Sequence, residues 1–212
     1  MNTKNTLAQN NKQNGGEIAV ALSGGVDSAI AAVLLKDQGY RVHALFMKNW
    51  EEDDHDQHCA AHEDLHYAQA VCTQLDIPLT TVNFSHEYWE RVFNDFVFQY
   101  QNGRTPNPDV VCNREIKFPL LIDYAKSLGI ERLATGHYAD LEYVDGSYHL
   151  LKGADTNKDQ SYFLYMINQT VMEHIRFPLA DLKKTDQTHP TCLLYTSPSP
   201  RDRQKSRMPS SA

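Results

Sequence analysis

The fold of this chain is constrained most by one sequence feature near its start. A short apolar segment ends at a pair of glycines, and a predicted helix follows directly. Residues 17–22 have the length and apolarity of a buried strand, a glycine pair at 24–25 interrupts it, and residues 28–38 form a predicted helix. Asp27 or Ser28 can cap this helix. The segment therefore predicts a strand, a tight turn and a helix that packs back against the strand.

The alternation of strand and helix continues along the chain. Further strands are predicted at 42–47, 79–84 and 132–135, and further helices at 60–75, 88–100 and 112–128. Strands that alternate with helices predict an α/β fold, a Rossmann-like parallel sheet with helices on both faces. Ligands of such sheets bind beyond the carboxyl ends of the strands. The loops that follow strands here are 23–28, 47–56 and 135–140.

The last third of the chain has weaker patterns. Asp145 and Gly146 form a turn signal between two short strands, so a hairpin is predicted at 141–151. Short helices are predicted at 160–167 and 170–175.

Composition excludes several classes of protein. The 212 residues carry a net charge of −7 and contain no apolar run long enough to cross a bilayer. Residues 1–16 are polar and lack the apolar core of a secretory signal, so a cytoplasmic protein without a membrane partner is expected. Basic residues cluster at 201–207, which leaves the rest of the chain acidic. An acidic body is not typical of a protein that binds nucleic acid unaided.

The cysteines show no disulfide or zinc pattern. They are Cys59, Cys72, Cys112 and Cys192, and none forms a C-x-x-C pair. In a long chain without a secretory signal a structural disulfide framework is not expected, although single cysteines can be reactive.

A histidine-rich stretch resembles a set of metal ligands. It contains His55, His58, Cys59, His62 and His66, and three of its histidines share one helical face. Because His58 and Cys59 are adjacent and no second ligand cluster follows, we favour an exposed histidine-rich face and predict no metal site.

The 23–28 loop has the features of a phosphate-binding turn. Its glycines allow close approach of the backbone to an anion, and the helix that follows offers N–H groups and a partial positive charge. The hydroxyls of Ser23 and Ser28 add donors, and Asp27 can orient the loop or help hold a magnesium ion on the phosphates. The loop matches neither G-x-x-x-x-G-K-[ST] nor G-x-G-x-x-G. The alternative is a glycine turn capped by Asp27.

The sequence S-G-G-V-D-S of this loop resembles the PP-loop of the ATP pyrophosphatases. Further blocks, in the same order, resemble the bacterial tRNA-specific 2-thiouridylases. They are F-M-K-N-W-E-E-D-D at 46–54, G-R-T-P-N-P-D at 103–109, C-N-R-E-I-K-F at 112–118, A-T-G-H-Y at 134–138 and N-K-D-Q-S-Y-F-L-Y at 157–165. The resemblance covers about residues 17–184 and implies a PP-loop adenylation domain of the ATP pyrophosphatase type.

This resemblance implies ATP-dependent 2-thiolation of the wobble uridine in tRNA, the activity of a tRNA-uridine 2-sulfurtransferase. The C2 oxygen of the uridine is adenylated with release of pyrophosphate, and sulfur from a cysteine persulfide then replaces it. The implied cofactor is ATP, with Mg²⁺ expected. The implied partners are tRNA and a persulfide donor, either a cysteine desulfurase or a sulfur-relay protein.

The resemblance places ATP on the 23–28 loop and at two further strand ends. Met47 ends the second predicted strand, where its thioether can pack on adenine, and Gly136 follows the fourth, where a glycine permits close approach to a nucleotide. An ordinary apolar strand end and a plain turn are the alternatives. The implied ATP-binding residues are Ala21, Leu22, Ser23, Gly24, Gly25, Val26, Asp27, Ser28, Met47 and Gly136.

A loop stiffened by two prolines carries the implied contacts to the target base, which are Asn107, Pro108 and Asp109. Asp109 can exchange a proton with the uracil as its carbonyl oxygen is activated. Ordinary Asx-turn chemistry is the alternative for this triplet.

Cys112 follows near a predicted helix start, where the helix dipole and Arg114 or Lys117 would lower the thiol pKa and favour the thiolate. A small buried thiol is the alternative. The resemblance implies that Cys112 is one of a catalytic pair, that its partner lies downstream and receives sulfur as a persulfide, and that the pair ends as a disulfide.

A second polar triplet precedes an aromatic run. The side chains of Lys158 and Gln160 can contact phosphate or base edges, and the resemblance places Lys158, Asp159 and Gln160 at the tRNA. A solvated helix start is the alternative.

The resemblance stops before the chain does. Residues from about 189 resemble a translated sequencing adaptor, and the divergence begins as early as Thr185. We expect residues 1–16 to be a disordered leader and residues 185–212 to be a non-native, disordered tail. Cys192 lacks the S-T-G-I-C-F-like context of the second catalytic cysteine. The alternatives to an incomplete sulfurtransferase are another PP-loop ATP-dependent ligase and a non-catalytic ATP-binding module.

From these features we expect this chain to bind ATP without completing thiolation, because the partner cysteine is not among its recognisable motifs. The measurement is incubation with tRNA, ATP and a persulfide donor, followed by nucleoside analysis. The appearance of 2-thiouridine would contradict the expectation.

Overall fold

The computed structural model describes residues 15–49 and 60–183. Its strands are β1 (Gly15–Ala21), β2 (Tyr40–Lys48), β3 (Leu79–Asn83), β4 (Leu133–Ala134), β5 (Ala139–Val144), β6 (Ser147–Lys152) and β7 (Ile175–Arg176). Five of them form a parallel sheet in the order β3-β2-β1-β4-β7, and β5 and β6 form a separate antiparallel hairpin. The predicted parallel sheet and the predicted hairpin are confirmed.

The helices alternate with the strands of the large sheet. They are α1 (Val26–Asp37), α2 (Ala60–Leu75), α3 (Ser85–Tyr88), α4 (Asn94–Gln101), α5 (Pro108–Cys112), α6 (Phe118–Ser127) and α7 (Gln169–Met172). One π-helical turn, Trp89–Phe93, joins α3 to α4, and another, Asn113–Lys117, joins α5 to α6. Within the described part of the chain, no helix has the length and apolarity needed to span a membrane.

The sheet is covered by helices on both faces because its central strands bury both sets of side chains. In β1, Ile18 and Val20 belong to one core cluster, which includes buried residues of α1 and α2. Ala19 belongs to a second cluster, which includes Phe118 and Leu121 of α6. Successive side chains of a strand point to opposite faces, so the two clusters lie on the two sides of the sheet. The predicted Rossmann-like layering is confirmed.

A proline accounts for the π-helical turn between α5 and α6. Pro119 lies within a helical stretch that runs without a break from α5 to the end of α6. Its ring removes one backbone donor and would clash with the carbonyl four residues earlier in a regular α-helix. A π-helical turn directly before it relieves that clash, and such turns are frequent at functional sites.

Several predicted boundaries are wrong. The helix predicted from Cys112 begins four residues earlier at Pro108, because Asn107 caps it. The segment predicted as a helix at 160–167 contains only the 3₁₀ turn Ser161–Phe163, and the end of the helix predicted at 170–175 is instead β7. A strand of two residues is too short to show any hydrophobic period.

The helix predicted at 88–100 is buried unevenly. Val92 in the π-helical turn is buried, yet Tyr100 near the end of α4 is 70% exposed.

The two ends of the chain are described only in part. The strand β1 begins at Gly15, so it extends two residues into the segment predicted as a leader. Residues 1–14 and 184–212 lie outside the described residues, and the predictions of a disordered leader and a non-native tail stay predictions.

The assignment of α6 to the second core predicts the effect of a truncation. Leu121→Ala removes a side chain that is 0% exposed, and it should lower the free energy of unfolding by about 2–5 kcal/mol. Leu128→Ala is the matched control, because Leu128 is 41% exposed at the end of the same helix and should cost less than about 0.5 kcal/mol. Urea unfolding of the two variants measures both, and equal losses would refute this packing of α6.

Candidate active site

The 23–28 loop follows β1 at the point where the sheet order reverses. β1 pairs with β2 on one side and with β4 on the other, so the loop lies over the crevice between their carboxyl ends. Gly24 has a φ of +75°, and a Cβ added there would lie 2.2 Å from the carbonyl oxygen of Asp64. Both the backbone conformation and the close approach to α2 require glycine at this position.

The two serines of the loop hold it in one shape. The Ser28 hydroxyl donates to the carbonyl oxygen of Gly25 at 2.9 Å and accepts from the backbone N–H of Ser23 at 3.2 Å. The Ser23 hydroxyl lies 3.2 Å from the Ser28 hydroxyl and accepts from the N–H of Gly25 at 3.4 Å. Ser28 is buried and Ser23 is exposed, so a ligand at the loop meets the Ser23 hydroxyl first.

The start of α1 is available to an anion. The helix begins at Val26 after Gly25, and no side chain caps it, so the expectation that Asp27 or Ser28 is the cap is wrong. Ser28 instead binds within the loop, and Asp27 lies in the first helical turn and accepts a hydrogen bond from Tyr138. The first N–H groups of a helix have no intrahelical acceptor, and the N-cap residue Gly25 has no side chain to accept from them. Ala21 and Leu22 lead into the loop, with Leu22 buried in the core.

Gly136, at the carboxyl end of β4, contacts the loop directly. A Cβ at Gly136 would lie 2.7 Å from the carbonyl carbon of Asp27 and 2.7 Å from the backbone nitrogen of Ser28. The glycine is therefore needed for close packing of the two strand ends. Its predicted contact with a nucleotide stays a prediction.

Met47 lies between two apolar clusters, one of which contains Cys112. It is half-buried near the end of β2 and packs against two apolar clusters, the one under α6 and a smaller one that contains Val92, Cys112 and Ile116. Its predicted contact with adenine stays a prediction.

The 107–109 triplet forms the start of α5. The Asn107 side-chain oxygen accepts from the N–H of Asp109 at 3.1 Å and of Val110 at 3.3 Å, which is the Asx-type cap considered as the alternative. Pro108 occupies the first helical position, where its missing N–H costs nothing. Asp109 is exposed one turn before Cys112. This cap fixes the backbone of the triplet and leaves the Asp109 carboxylate open to solvent.

The electrostatics of Cys112 differ from the prediction. Burial raises the pKa of the Cys112 thiol above its usual value, and the charge of Asp109 adds to the rise. Lys117 opposes both effects through its charge and through a backbone N–H that donates to the sulfur. Cys112 is the fifth residue of the continuous helical stretch that begins at Pro108, rather than its first residue as predicted. The predicted lowering of this pKa is wrong, although one of the two predicted cations does act on the thiol.

Lys117 acts on a second group besides Cys112. Its charge also acts on His137, whose pKa is lowered to about 3, first by burial and then by Lys117. The His137 ring packs between Phe118 and Phe177, with ring centroids 5.9 and 6.1 Å away, and its Nδ1 lies 2.8 Å from the Thr135 hydroxyl. The imidazole is therefore neutral at physiological pH.

Arg114, the other candidate cation, faces elsewhere. Its Nε donates to the Glu115 carboxylate at 2.6 Å and its Nη1 contacts the Met166 sulfur.

The 158–160 triplet is held close to β4. Gln160 Oε1 accepts from the N–H of Tyr138 at 3.0 Å, and Gln160 N–H donates to the carbonyl oxygen of Tyr138 at 3.0 Å. The Asp159 carboxylate accepts from the N–H of Ser161 at 3.1 Å. All three side chains of the triplet are half-exposed, so a partner can reach them, and their predicted contact with tRNA stays a prediction.

Four residues around the site were missed by sequence reasoning. The pKa of Tyr88 is raised by burial, and then by the charges of Cys112 and Asp109, and its side chain packs against the cluster that contains Cys112. Asn113 is 2% exposed, its Nδ2 donates to the carbonyl oxygen of Phe163 at 3.1 Å, and its Oδ1 has no hydrogen-bond partner within the described part of the chain. His137 and Tyr138 belong to a recognised block, and their position directly after a predicted strand end was the available signal.

The described residues add neither a cation site nor a disulfide to this arrangement. Among the residues that the structure describes, no three His, Cys, Asp or Glu side chains are placed to hold a metal ion. His55, His58 and Cys59 lie outside these residues, so the prediction for the histidine-rich stretch stays open. Cys72 and Cys112 are both free thiols in the structure, which does not contain the disulfide implied for the catalytic pair.

Residues 16–190 match the family described as tRNA methyl transferase HUP domain. The chain belongs to this family. It is 57% identical over 173 residues to a tRNA-specific 2-thiouridylase MnmA from Nitrosomonas europaea, covering 82% of this chain and 48% of the relative. It is 52% identical over 171 residues to the protein of the same name from Colwellia psychrerythraea, covering 80% and 46%. The resemblance read from the motifs is confirmed, and the chain spans about half the length of these curated relatives.

Among solved structures, a predicted subunit of tRNA methyltransferase from Methanocaldococcus jannaschii is similar. The TM-score is 0.48 at 16% identity, and the match covers 83% of this chain and 74% of that one. This similarity is too low to bear on the function.

The position of Lys117 predicts the pH dependence of alkylation at Cys112. The thiolate is the reactive form, so a raised pKa keeps alkylation slow near neutral pH. The midpoint of the plot of rate against pH should therefore lie above that of an ordinary cysteine. Lys117→Met removes the opposing charge, so it should raise the thiol pKa further and slow alkylation near neutral pH severalfold.

The rate is followed by mass spectrometry of the peptide that contains Cys112, since Cys72 is also a free thiol. Lys126→Met near the end of α6 is the control and should leave the profile unchanged. A wild-type midpoint below that of an ordinary cysteine would refute the raised pKa.

Proposed function

We propose that these residues form the ATP-binding and adenylating region of an enzyme that thiolates the wobble uridine of tRNA at C2, a tRNA-uridine 2-sulfurtransferase. The observation that carries the proposal is the continuity of the site. The 23–28 loop contacts Gly136, His137 follows Gly136, and Lys117 acts on both His137 and Cys112. A phosphate-binding turn and a cysteine thus share one edge of the sheet, as a reaction that uses ATP and sulfur on one base requires.

The loop fits the triphosphate of ATP. Its uncapped helix start, its exposed Ser23 hydroxyl and the backbone freedom at Gly24 are the features that bind phosphate oxygens. Met47 and Gly136 would contact the adenine nucleoside beside the loop. Asp27 is half-buried in the first turn of α1 and would hold Mg²⁺ on the phosphates, which supplies charge neutralisation as pyrophosphate leaves.

The target uridine would lie between the loop and α5. Its C2 oxygen attacks the α-phosphorus of ATP, and pyrophosphate leaves. The capped 107–109 triplet presents Asp109 toward solvent, where the carboxylate can accept the N3 proton of the uracil and make the C2 oxygen more nucleophilic.

Sulfur transfer would follow on the activated base. The terminal sulfur of a persulfide on a second cysteine attacks C2, and AMP leaves with the original oxygen. The Cys112 thiolate then attacks the inner sulfur, so that the two cysteines are oxidised to a disulfide and the transferred sulfur is reduced to the thiocarbonyl. Lys117 assists because its charge stabilises the Cys112 thiolate.

The RNA and the sulfur source are the proposed partners. Lys158, Asp159 and Gln160 flank Tyr138 at the same edge of the sheet and would contact the tRNA. A cysteine desulfurase or a sulfur-relay protein would supply the persulfide. A cytoplasmic location follows from a reaction on tRNA.

A cysteine substitution in the whole protein that carries these residues tests the proposal. Cys112→Ser should keep tRNA-dependent pyrophosphate release within about threefold and reduce 2-thiouridine formation to background, because adenylation needs no thiol and sulfur release does. Cys72→Ser is the matched control, because Cys72 is buried in α2 within the core cluster on the α1 side of the sheet, away from the cluster that contains Cys112. This variant should retain both activities.

Three outcomes decide between functions. Absence of ATP-dependent pyrophosphate release with tRNA would refute the adenylation step. Undiminished thiolation by Cys112→Ser would refute the role of the thiol. Product formation with an amine in place of sulfur would favour another PP-loop ligase.

A further inference from the structure

Tyr138 joins the end of β4 to the phosphate-binding loop. Its side chain is 1% exposed within the core cluster under α1, and its hydroxyl donates to Asp27 Oδ1 at 3.2 Å. A buried tyrosine hydroxyl is costly unless it is hydrogen-bonded, so this contact fixes both partners. Since Tyr138 and Asp27 are far apart in sequence, the contact exists only in the folded sheet.

The backbone of Tyr138 is itself held in place. The side-chain oxygen of Gln160 accepts a hydrogen bond from the Tyr138 N–H, and the Gln160 backbone N–H donates to the Tyr138 carbonyl oxygen, each at 3.0 Å. Gly153 lies on another side, where an added Cβ would be 3.1 Å from the Tyr138 carbonyl carbon. The ring therefore extends from an immobilised backbone, and its hydroxyl has little freedom to follow a moving carboxylate.

Asp27 is held on two sides by the same short segment. Gly136 packs against its backbone, and Tyr138 binds its carboxylate. The serines of the loop bind one another, and Tyr138 reaches this carboxylate from outside the loop. A side chain that acts on a ligand must be held close to its productive orientation by supporting contacts.

We propose that Tyr138 is a positioning residue, which holds the Asp27 carboxylate in the orientation that binds Mg²⁺-ATP, and that Gln160 supports it. This inference rests on the proposed ATP site. It also gives the Gln160 side chain a structural function in addition to its predicted contact with RNA.

Titration of this chain with Mg²⁺-ATP by calorimetry tests the proposal. Tyr138→Phe removes only the hydroxyl and should weaken binding on the order of tenfold, the factor expected for loss of one hydrogen bond to a charged group. Asp27→Asn should weaken binding at least as much. In the double variant the tyrosine substitution should add no further loss, because its effect passes through Asp27.

The control is Tyr40→Phe. Tyr40 packs against the same core cluster but begins β2, at the opposite end of the parallel sheet, so its hydroxyl should not affect binding. Thermal unfolding establishes that each variant is folded. If Tyr138→Phe does not fold, Gln160→Ala replaces it and should cause a smaller loss that also disappears in the Asp27→Asn background.

The outcomes separate this inference from the proposed function. Wild-type affinity in Tyr138→Phe, or losses that add in the double variant, would overturn the positioning role alone. A wild-type chain that binds no ATP would overturn the proposed ATP site and the positioning role with it.

Discussion

Parallel pairing of β1 with β2 on one side and β4 on the other is the constraint on which the site depends. Because all three strands run in the same direction, their carboxyl ends meet at one edge, and the loops that follow them must share that space. This crowding is visible at Gly136, whose backbone packs directly against the backbone of Asp27 and Ser28. A side chain at Gly136 would separate the loops that the sheet brings together.

Burial and reactivity oppose each other at Cys112. The packing that places the thiol at the end of α5 also raises its pKa, and Asp109 raises it further. Lys117 is the compensating group, and the π-helical turn between α5 and α6 sets where it lies relative to Cys112. Pro119 favours that turn, so a residue with no contact to the thiol helps determine its chemistry.

The local parts of this arrangement could be predicted from the sequence. The apolar run before Gly24, the glycine pair and the alternation of elements were enough to predict the parallel sheet and the tight turn at 23–28. The cap at Asn107 was among the stated alternatives, because Asx turns are local and follow from residue type.

Contacts between distant segments were not predictable in the same way. Asp27 is a good helix cap by residue type, but Tyr138 takes its carboxylate, and this hydrogen bond depends on the order of the strands. The burial that raises the Cys112 pKa comes from Val92 and Ile116 in separate elements. The strand β7 is defined by its hydrogen bonds to β4 rather than by any pattern of its own.

Residues 160–163 connect the 23–28 loop to the surroundings of Cys112. Gln160 binds the backbone of Tyr138, which contacts the 23–28 loop, and the Phe163 carbonyl oxygen accepts from Asn113, the neighbour of Cys112. The buried Asn113 Oδ1, which has no partner among the described residues, costs on the order of 1–3 kcal/mol, which this stretch of structure must offset. The residues with a predicted RNA contact are thus continuous with the supports of both the carboxylate and the thiol. A displacement of residues 160–163 would therefore disturb the Asp27 carboxylate and the Cys112 thiol together. The contact of Gln160 with Tyr138 supports the carboxylate, and the contact of Phe163 with Asn113 supports the thiol.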